Sequence, residues 1–319
     1  MIPLTIKDFS SSPALKINQD VMFDRKAIQQ VIKDLALSDQ RPYLSYFLAD
    51  GVYKDKPIIA KVKYKNELIE SLVIEEITKK KRYRIDLSYD GTSYQGFQKQ
   101  PHQETIQDTI EQCLNHLCQE TIQIHPASRT DAKVHAYHQV IHFDTTSELT
   151  KDRIYNQLKI MLPRDIHIID MQEVPQLFHA RYDTLKKTYE YHLTKDLSPF
   201  LANHTAFVKS FDIRLAQKIL QSLIGTHDFR GFAKANDKNN TVRTVHEVNI
   251  SEDNSKVIIT ITGDGFLRHM VRMIIGHLFQ EIKEQKGSFF NTLKHPEEEH
   301  RKYLAPAQAL YLKKIYYTE

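Results

Sequence analysis

The stretch YRIDLSY at residues 83–89 begins the pattern from which the fold is predicted. Its apolar and polar residues alternate, which is typical of a strand with one buried face. Apolar residues at helical spacing follow at 105–118, with Thr105 as the candidate N-cap. The order β-α-β-β-α-β is completed by strands at 121–127 and 138–145, a helix at 149–162 and a strand at 165–174.

The same order of elements recurs in the second half of the chain. Its members are a strand at 187–194, a helix at 213–224, strands at 241–250 and 255–263, a helix at 266–282 and a strand at 309–317. Two split βαβ units of this kind predict an α+β fold. In that fold, two ferredoxin-like halves form one shared antiparallel sheet with a central cleft. The repeat is one of topology and not of sequence.

The first 80 residues follow a different pattern. One amphipathic helix is predicted at 24–37, and two strands are predicted at 57–64 (PIIAKVKY) and 68–77 (LIESLVIEEI). The basic run KKKR at 79–82 marks a boundary. The chain is therefore divided into a small α/β N-terminal extension at 1–80, a first half at 83–180 and a second half at 181–319.

Composition narrows the classes of function. With 41% hydrophobic and 26% charged residues, the chain is of globular type and has no apolar run long enough for a membrane helix. The N-terminus lacks a signal-peptide layout, so a cytoplasmic location is expected. Metal and nucleotide motifs are absent, and Cys113 and Cys118 do not face each other, so we expect neither a metal nor a cofactor. The net charge of +4 permits a polyanionic partner.

The segment ASRTDAKVHA at residues 127–136 is the most informative for function. It lies between two predicted strands, which makes it a loop on a rigid scaffold. Arg129 and Asp131 stand two residues apart, and a carboxylate beside a guanidinium stays ionised and fixed in direction. Such a carboxylate suits a nucleophile or a base. An Arg-x-Asp loop is more often a structural ion pair, so these residues alone leave both interpretations open.

This segment resembles the RTDAGVHA motif of the TruA family of tRNA pseudouridine synthases. Five other stretches resemble family motifs in the same order, namely YDGTSYQGFQ at 89–98, QVIHF at 139–143, KTYEY at 187–191, GFLRHMVR at 265–272 and APAQALYL at 305–312. Together they cover roughly residues 83–317 and leave the first 80 residues unmatched. Each motif alone is weak, but six motifs in one order make a specific resemblance.

The resemblance implies an enzyme that breaks the N1–C1′ bond of a uridine, rotates the uracil and rejoins it through C5 without a cofactor. Asp131 is implied as the nucleophile, or as the base that starts glycal formation. Arg129 is implied to brace the flipped-out nucleotide. Tyr189 is implied to stack on the uracil and to help remove the C5 proton. Arg272 is implied to pair with Asp131 and to keep it ionised.

Six further residues in or beside these motifs are candidate RNA contacts, namely His135, Lys133, Tyr94, Gln98, Arg268 and His269. Three positions depart from the family pattern. Ser128 and Lys133 stand where the family usually has glycine, and Phe97 stands where it tends to have tryptophan. Because glycine commonly marks a positive φ angle, Lys133 is expected either to strain the loop or to add a phosphate contact.

Three functions are compatible with these residues, and we favour the first. It is pseudouridine formation in the tRNA anticodon stem-loop, at the positions conventionally numbered 38 to 40, by a homodimer as the resemblance implies. The second keeps the chemistry but redirects it to ribosomal or another structured RNA through the altered loop and the N-terminal extension. The third is an inactive RNA-binding or chaperone protein, against which the presence of Asp131, Arg129, Tyr189 and Arg272 argues.

Overall fold

The computed structural model describes two parts of the chain at different levels of detail. Residues 78–234, 240–253, 256–298 and 301–317 are described throughout. Of residues 1–77, the structure describes six strands, with side chains at 57–61. The predicted helix at 24–37 lies outside the described residues.

The six N-terminal strands form a sheet of their own. They are β1 (Ile2–Lys7), β2 (Val21–Phe23), β3 (Gln40–Tyr43), β4 (Tyr46–Tyr53), β5 (Lys56–Lys65) and β6 (Leu68–Glu76), in the order β2-β1-β6-β5-β4-β3. β5 and β6 are the two strands predicted there, and they pair antiparallel. Ile58 and Ala60 of β5 are fully buried, and the Lys61 ammonium binds the carboxylate of Asp183, far along the chain.

A second sheet contains ten strands from the rest of the chain. They are β7 (Lys81–Tyr89), β8 (His125–Pro126), β9 (His135–Thr145), β10 (Ile166–Val174), β11 (Lys186–Thr194), β12 (Ala206–Phe207), β13 (Gly225–Asp228), β14 (Val242–Asp253), β15 (Lys256–Gly263) and β16 (Leu310–Tyr316). Eight of them lie in the order β10-β7-β9-β16-β11-β15-β14-β13. β8 pairs with β9, and β12 pairs with β11.

The last strand joins the two parts of this sheet. β16 pairs antiparallel with β11 on one side and parallel with β9 on the other, where Tyr311 lies opposite His135 and Leu312 opposite Ala136. The sheet is therefore mixed, and the prediction of an antiparallel sheet was wrong at this junction. Alternation along a strand fixes which side chains share a face, but it does not report the direction of the neighbouring strand.

Five α-helices occur in the described residues: α1 (Ile106–Cys118), α2 (Lys151–Met161), α3 (Ile213–Gln221), α4 (Met270–Glu284) and α5 (Ser288–Lys294). The predicted cap of α1 is confirmed, because the Thr105 hydroxyl accepts the Asp108 N–H. α4 begins at Met270 and not at residue 266 as predicted. The preceding His269 has a φ of 65°, which lies outside the right-handed helical region.

The hydrophobic core contains side chains from this sheet and from the helices. Along β7, Tyr83, Ile85, Leu87 and Tyr89 are all buried, while the residues between them are partly exposed, as the predicted alternation requires. Burying one such side chain contributes about 1.5–3 kcal/mol. In the part of the chain that the structure describes, no helix combines the length and apolar character needed to cross a membrane.

Candidate active site

The loop at residues 127–134 connects β8 to β9 and is fixed by buried side chains. The Gln139 amide, on β9, bonds both main-chain groups of Ser128: its NH₂ donates to the carbonyl at 2.7 Å, and its oxygen accepts the N–H at 3.3 Å. Further along, the Thr130 hydroxyl lies 2.7 Å from the Tyr89 hydroxyl. Gln139 and Tyr89 are buried, so these bonds are shielded from water and hold the loop firmly on the sheet.

Asp131 begins a tight turn within this loop. The Val134 N–H donates to the Asp131 carbonyl at 3.2 Å. Lys133, the third residue of the turn, has a φ of 64°. A type II turn requires a positive φ at this position and favours glycine there. Lys133 therefore holds a left-handed conformation that is costly for a residue with a side chain.

Two glycines allow the segment at 90–98 to approach this loop. A Cβ on Gly91 would lie 2.1 Å from the Val134 carbonyl oxygen. A Cβ on Gly96, which has a φ of 99°, would lie 2.9 Å from the Thr130 carbonyl oxygen. Both neighbours are backbone atoms that cannot rotate away, so the absence of a side chain is required at each position.

The Asp131 carboxylate is bound by two side chains near the start of α4. Arg272 Nη1 donates to Oδ2 at 2.9 Å, and His269 Nε2 lies 3.4 Å from Oδ1. The Arg272 Nε also donates to the Ala305 carbonyl at 2.9 Å, which fixes the guanidinium in direction. Burial raises the pKa of Asp131, but the hydrogen bonds and charges of His269 and Arg272 outweigh it and hold that pKa below its ordinary value. Asp131 is therefore ionised at neutral pH.

Tyr189 of β11 reaches the same loop from the other part of the sheet. Its hydroxyl lies 2.9 Å from the Ser128 Oγ, and its ring meets Phe266 edge to face at 5.0 Å. Burial, together with the nearby Asp131 charge, raises the pKa of Tyr189 to about 12, although the Ser128 hydrogen bond opposes the shift. The neutral phenol of Tyr189, on β11, thus contacts Ser128 of the loop that carries the ionised carboxylate of Asp131.

Comparison with known sequences identifies the family. The family of tRNA pseudouridine synthases matches residues 87–183 and 219–318. The chain belongs to this family.

Individual relatives support the assignment. The tRNA pseudouridine synthase A of Aster yellows witches'-broom phytoplasma is 37% identical over 74% of this chain and 98% of its own length. That of an Exiguobacterium species is 35% identical over 75% of this chain and 99% of its own length. The tRNA pseudouridine synthase A 2 of Clostridium tetani is 37% identical over 74% of this chain and 98% of its own length. The resemblance found in the sequence is thus confirmed, and the N-terminal extension lies outside the family match.

Arg129 does not pair with Asp131, although the sequence places them two residues apart. Arg129 is exposed, and the guanidinium on the carboxylate belongs to Arg272. The reasoning from adjacent residues was therefore wrong about which arginine keeps Asp131 ionised. The contact between Arg272 and Asp131 is the one that the family resemblance implied.

His135 and Tyr94 were expected to contact RNA, which stays a prediction; in the structure both side chains are buried. Each is 2% exposed. The His135 Nδ1 accepts the Gly91 N–H at 3.1 Å, and its Nε2 lies 3.0 and 3.1 Å from two carbonyl oxygens. The Tyr94 hydroxyl donates to Asp165 at 2.7 Å. Both side chains hold neighbouring segments together, which their motif positions alone did not distinguish from RNA binding.

The other candidate RNA contacts divide into two groups. Gln98, Lys133 and Arg268 are exposed, and each lies on a segment that meets the loop of Asp131 or the start of α4. His269, by contrast, lies against Asp131 itself. The sequence signal for His269 was its spacing of three residues from Arg272, which places both side chains on one side of the helix predicted at 266–282.

Within the described residues, one group of side chains brings possible metal-ligating atoms within 4.8 Å of one another: Asp90, His135 and His204. The His135 Nδ1 already accepts the Gly91 N–H, and Asp90 accepts both the N–H and the hydroxyl of Thr92. These bonds occupy the His135 Nδ1 and one carboxylate oxygen of Asp90, Oδ1. The expected absence of a metal and a cofactor stays a prediction.

A hollow of about 480 Å³ opens beside Asp90 and His135 and spans both parts of the large sheet. Arg164, His192 and Tyr311 are among the residues that line it, and Asp131 is not. The hollow is therefore separate from the Asp131 site.

Sequence reasoning missed two residues that support the loop. It treated Lys187 only as part of a motif, yet its ammonium donates to the Ala127 carbonyl at 2.7 Å. It treated Ser128 only as a replacement for glycine, yet its hydroxyl is the hydrogen-bond partner of Tyr189. The position of Lys187 two residues before Tyr189, which places both on one face of a strand, was the available signal.

Proposed function

We propose that this protein isomerises uridine to pseudouridine in the anticodon stem-loop of tRNA, at positions 38 to 40, with Asp131 as the catalytic carboxylate. The observation that carries the proposal is the ionised Asp131, held by Arg272 and His269 on a loop that also contacts Tyr189. Family membership and the names of the relatives support the same chemistry and the same class of RNA.

The reaction is redox-neutral and conserves all atoms of the uridine. The N1–C1′ bond breaks, the detached uracil rotates, C5 bonds to C1′, and the proton on C5 is finally lost while N1 gains one. Asp131 starts the reaction either by attacking C1′ or by removing the C2′ proton to give a glycal. In either route, Arg272 and His269 keep the carboxylate ionised and aimed.

Tyr189 is proposed to stack on the uracil and to assist removal of the C5 proton. Its raised pKa keeps the phenol protonated at neutral pH. A protonated phenol accepts a proton only while it gives up its own, so Tyr189 acts as a relay, with Ser128 as the neighbouring group on its hydroxyl. Arg129, which is exposed just before Asp131, is proposed to brace the flipped-out nucleotide.

RNA is proposed to bind largely through its phosphates. Lys133 and Arg268 are exposed cations beside the site, and Gln98 offers a neutral amide there. Contacts of this type release counterions, so affinity should fall as salt rises. A stem-loop would be recognised mainly by its shape.

The larger-scale predictions from the sequence are also retained as proposals. They are two ferredoxin-like halves at 83–180 and 181–319, an extension at 1–80, a homodimer and a cytoplasmic location. The β-α-β-β-α-β order of the strands and helices from β7 to β10 supports the first half. Light scattering from the purified protein tests the homodimer directly.

Mapping of pseudouridine tests the proposed function. Purified protein is incubated with unmodified tRNA and, separately, with ribosomal RNA, and products are located by carbodiimide treatment and primer extension. New stops at the anticodon stem-loop are the expected result. Stops in ribosomal RNA alone would keep the chemistry but overturn the target. Folded protein that binds RNA and gives no stops would favour the RNA-binding alternative.

The Asp131→Asn variant tests the proposed role of the carboxylate. Asparagine keeps the shape but removes both the charge and the nucleophile, so we expect turnover to be abolished while tRNA binding survives. Single-turnover assays and filter binding measure the two properties separately. Asp170→Asn, an exposed change of the same type on β10, is the control and should keep full activity. Retained turnover in Asp131→Asn would contradict the mechanism.

A further inference from the structure

Lys187 is a buried lysine beside the Asp131 loop. It is 8% exposed, and its ammonium donates to the Ala127 carbonyl oxygen at 2.7 Å. Among the described residues, no carboxylate forms an ion pair with it, and the charged groups that act on it are Arg181 and Arg243. Burial, and to a lesser extent these two positive charges, lower the pKa of Lys187 to about 8.

This burial is unfavourable for the folded protein. The ammonium loses hydration, and no neighbouring anion compensates for that loss. A methionine would fill a similar space without the penalty, so packing alone does not explain a lysine here. What the lysine adds is a hydrogen-bond donor at the end of a long side chain, directed at one carbonyl oxygen.

Strand geometry links this donor to the site. Lys187 and Tyr189 lie two residues apart on β11, so both point to the same face of the sheet. Lys187 contacts Ala127, and Tyr189 contacts Ser128, the next residue of the loop. One strand therefore holds two consecutive loop residues, and Asp131 follows shortly after them.

We propose that Lys187 is a positioning residue, which sets the place of Asp131 relative to Tyr189 by anchoring the loop to β11 at Ala127. The inference rests on the proposed function. Lys187 is placed against the loop backbone and acts through it, without touching the uridine. A displacement of about 1 Å in a reacting group can reduce a rate by about 100-fold, so even a small shift of the loop should be visible.

The test compares Lys187→Met with Lys186→Met in the full-length protein. Methionine at 187 keeps the volume and removes the donor. Lys186 is the adjacent residue, is exposed, and places its ammonium over the Tyr316 ring. Its replacement removes the same charge without touching the loop. Single-turnover rates at saturating tRNA, tRNA affinity across a salt series and thermal unfolding are measured for both variants.

A positioning role predicts that Lys187→Met lowers the saturating rate by about 10- to 100-fold and leaves tRNA affinity close to that of Lys186→Met. Lys187→Arg, which keeps a donor, should recover part of the rate. Should Lys187→Met not fold, Lys187→Gln is used, because its amide is too short to reach the same carbonyl; the expected loss is the same.

Two results would overturn the proposal. An unchanged saturating rate in a folded variant would exclude positioning. A loss of affinity alone, with a smaller salt dependence, would assign Lys187 to phosphate binding instead. Wild-type protein without activity on tRNA would overturn the proposed function, and with it this inference, whereas active wild type with an equally active Lys187→Met would overturn the role of Lys187 alone.

Discussion

Lys133 places a side chain where the local backbone favours none. Its φ of 64° lies in the left-handed region, which costs about 1 kcal/mol or more for a residue with a Cβ. The exposed side chain lies two residues after Asp131. An unfavourable backbone conformation beside the carboxylate proposed to be catalytic is consistent with a functional use of the lysine, and phosphate binding is the use that its charge suits.

Replacing Lys133 with glycine should therefore change stability and binding in opposite directions. We expect Lys133→Gly to raise the free energy of unfolding by about 1 kcal/mol, because glycine adopts positive φ readily. We also expect weaker tRNA binding, with the slope of log affinity against log salt reduced by about 1 in magnitude. Denaturant unfolding and a salt series of binding measurements test the two effects.

Gln119 offers a matched control for this substitution. It is exposed at the end of α1, with a φ of 56°. Gln119→Gly should relieve the backbone in the same way and leave tRNA binding unchanged. Equal effects of the two substitutions on binding would remove the case for a phosphate contact at Lys133.

The pKa of Lys187 has a consequence for stability as a function of pH. Burial, then Arg181 and Arg243, lower that pKa from 10.5 to about 8. Between these values the unfolded chain holds a proton that the folded protein has released, so stability rises with pH in that window. Relative to Lys187→Met, which has no such proton, the wild type should gain up to about 3 kcal/mol between pH 7 and pH 10.5. A constant difference between the unfolding free energies of the wild type and Lys187→Met across this range would contradict the lowered pKa of Lys187.

At the scale of elements, the close contact between the 90–98 segment and the Asp131 loop depends on Gly91. A Cβ there would lie 2.1 Å from the Val134 carbonyl oxygen, which is backbone. We expect Gly91→Ala to lower the free energy of unfolding by about 1–3 kcal/mol and to reduce the catalytic rate, because the loop must shift. Thermal unfolding and single-turnover assays measure the two effects.

Gly265 provides the comparison for Gly91. A Cβ at Gly265 would meet only the flexible Arg243 side chain, at 3.4 Å. Gly265→Ala should therefore cost much less stability than Gly91→Ala. Similar losses for both would show that the two segments separate easily, and that their contact does not constrain the loop.

The elements that could be predicted from the sequence are those with a local signal. The alternation along β7 and the cap at Thr105 are both present in the structure, because each depends on neighbouring residues only. The start of α4 was misplaced, since nothing in the residue type of His269 reveals a φ of 65°. The short strands β12 and β13, of two and four residues, carry too little periodicity to be recognised.

In the candidate site, too, some features could be predicted from the sequence and others could not. The resemblance indicated Asp131, and it also implied the partner Arg272, which lies more than 100 positions away in sequence and against the carboxylate in space. The contact of His269 with Asp131, the burial of His135 and the contact of Lys187 with Ala127 depend on how distant strands and helices meet. Local spacing indicates which side chains share a face, but it does not identify the distant atom that each one contacts, so these contacts became visible only with the fold.

At the scale of the whole molecule, an ion pair among the described side chains links the N-terminal extension to the rest of the chain. The Lys61 ammonium binds Asp183, whose carboxylate is almost fully buried and also accepts the His179 N–H. Two relatives that align over 98% or more of their own length cover only about 75% of this chain. The part of the chain that matches the family should therefore fold without residues 1–80, although the Asp183 carboxylate would then no longer bind the Lys61 ammonium.

A double-mutant cycle tests this link. In the full-length protein, Asp183→Asn should destabilise the fold, because it removes the charge that binds the Lys61 ammonium. In a protein lacking residues 1–80, the same substitution should cost less stability, because the Asp183 carboxylate no longer binds the Lys61 ammonium there. Denaturant unfolding of the four proteins gives the coupling energy. A coupling energy of zero would show that the contact contributes nothing to stability.

The position of β16 at the centre of the large sheet also affects how the protein is made. On the ribosome, the first residues of β9 and one edge of β11 emerge well before Leu310–Tyr316, the strand that fills the space between them. Until the final segment is synthesised, the nascent chain carries two open strand edges, which favour association with other chains. Loss of Leu310–Tyr316 would remove the strand that pairs with both β11, which carries Tyr189, and β9, which follows the loop of Asp131. The large sheet thus acquires the strand between β9 and β11 only when β16 pairs with both.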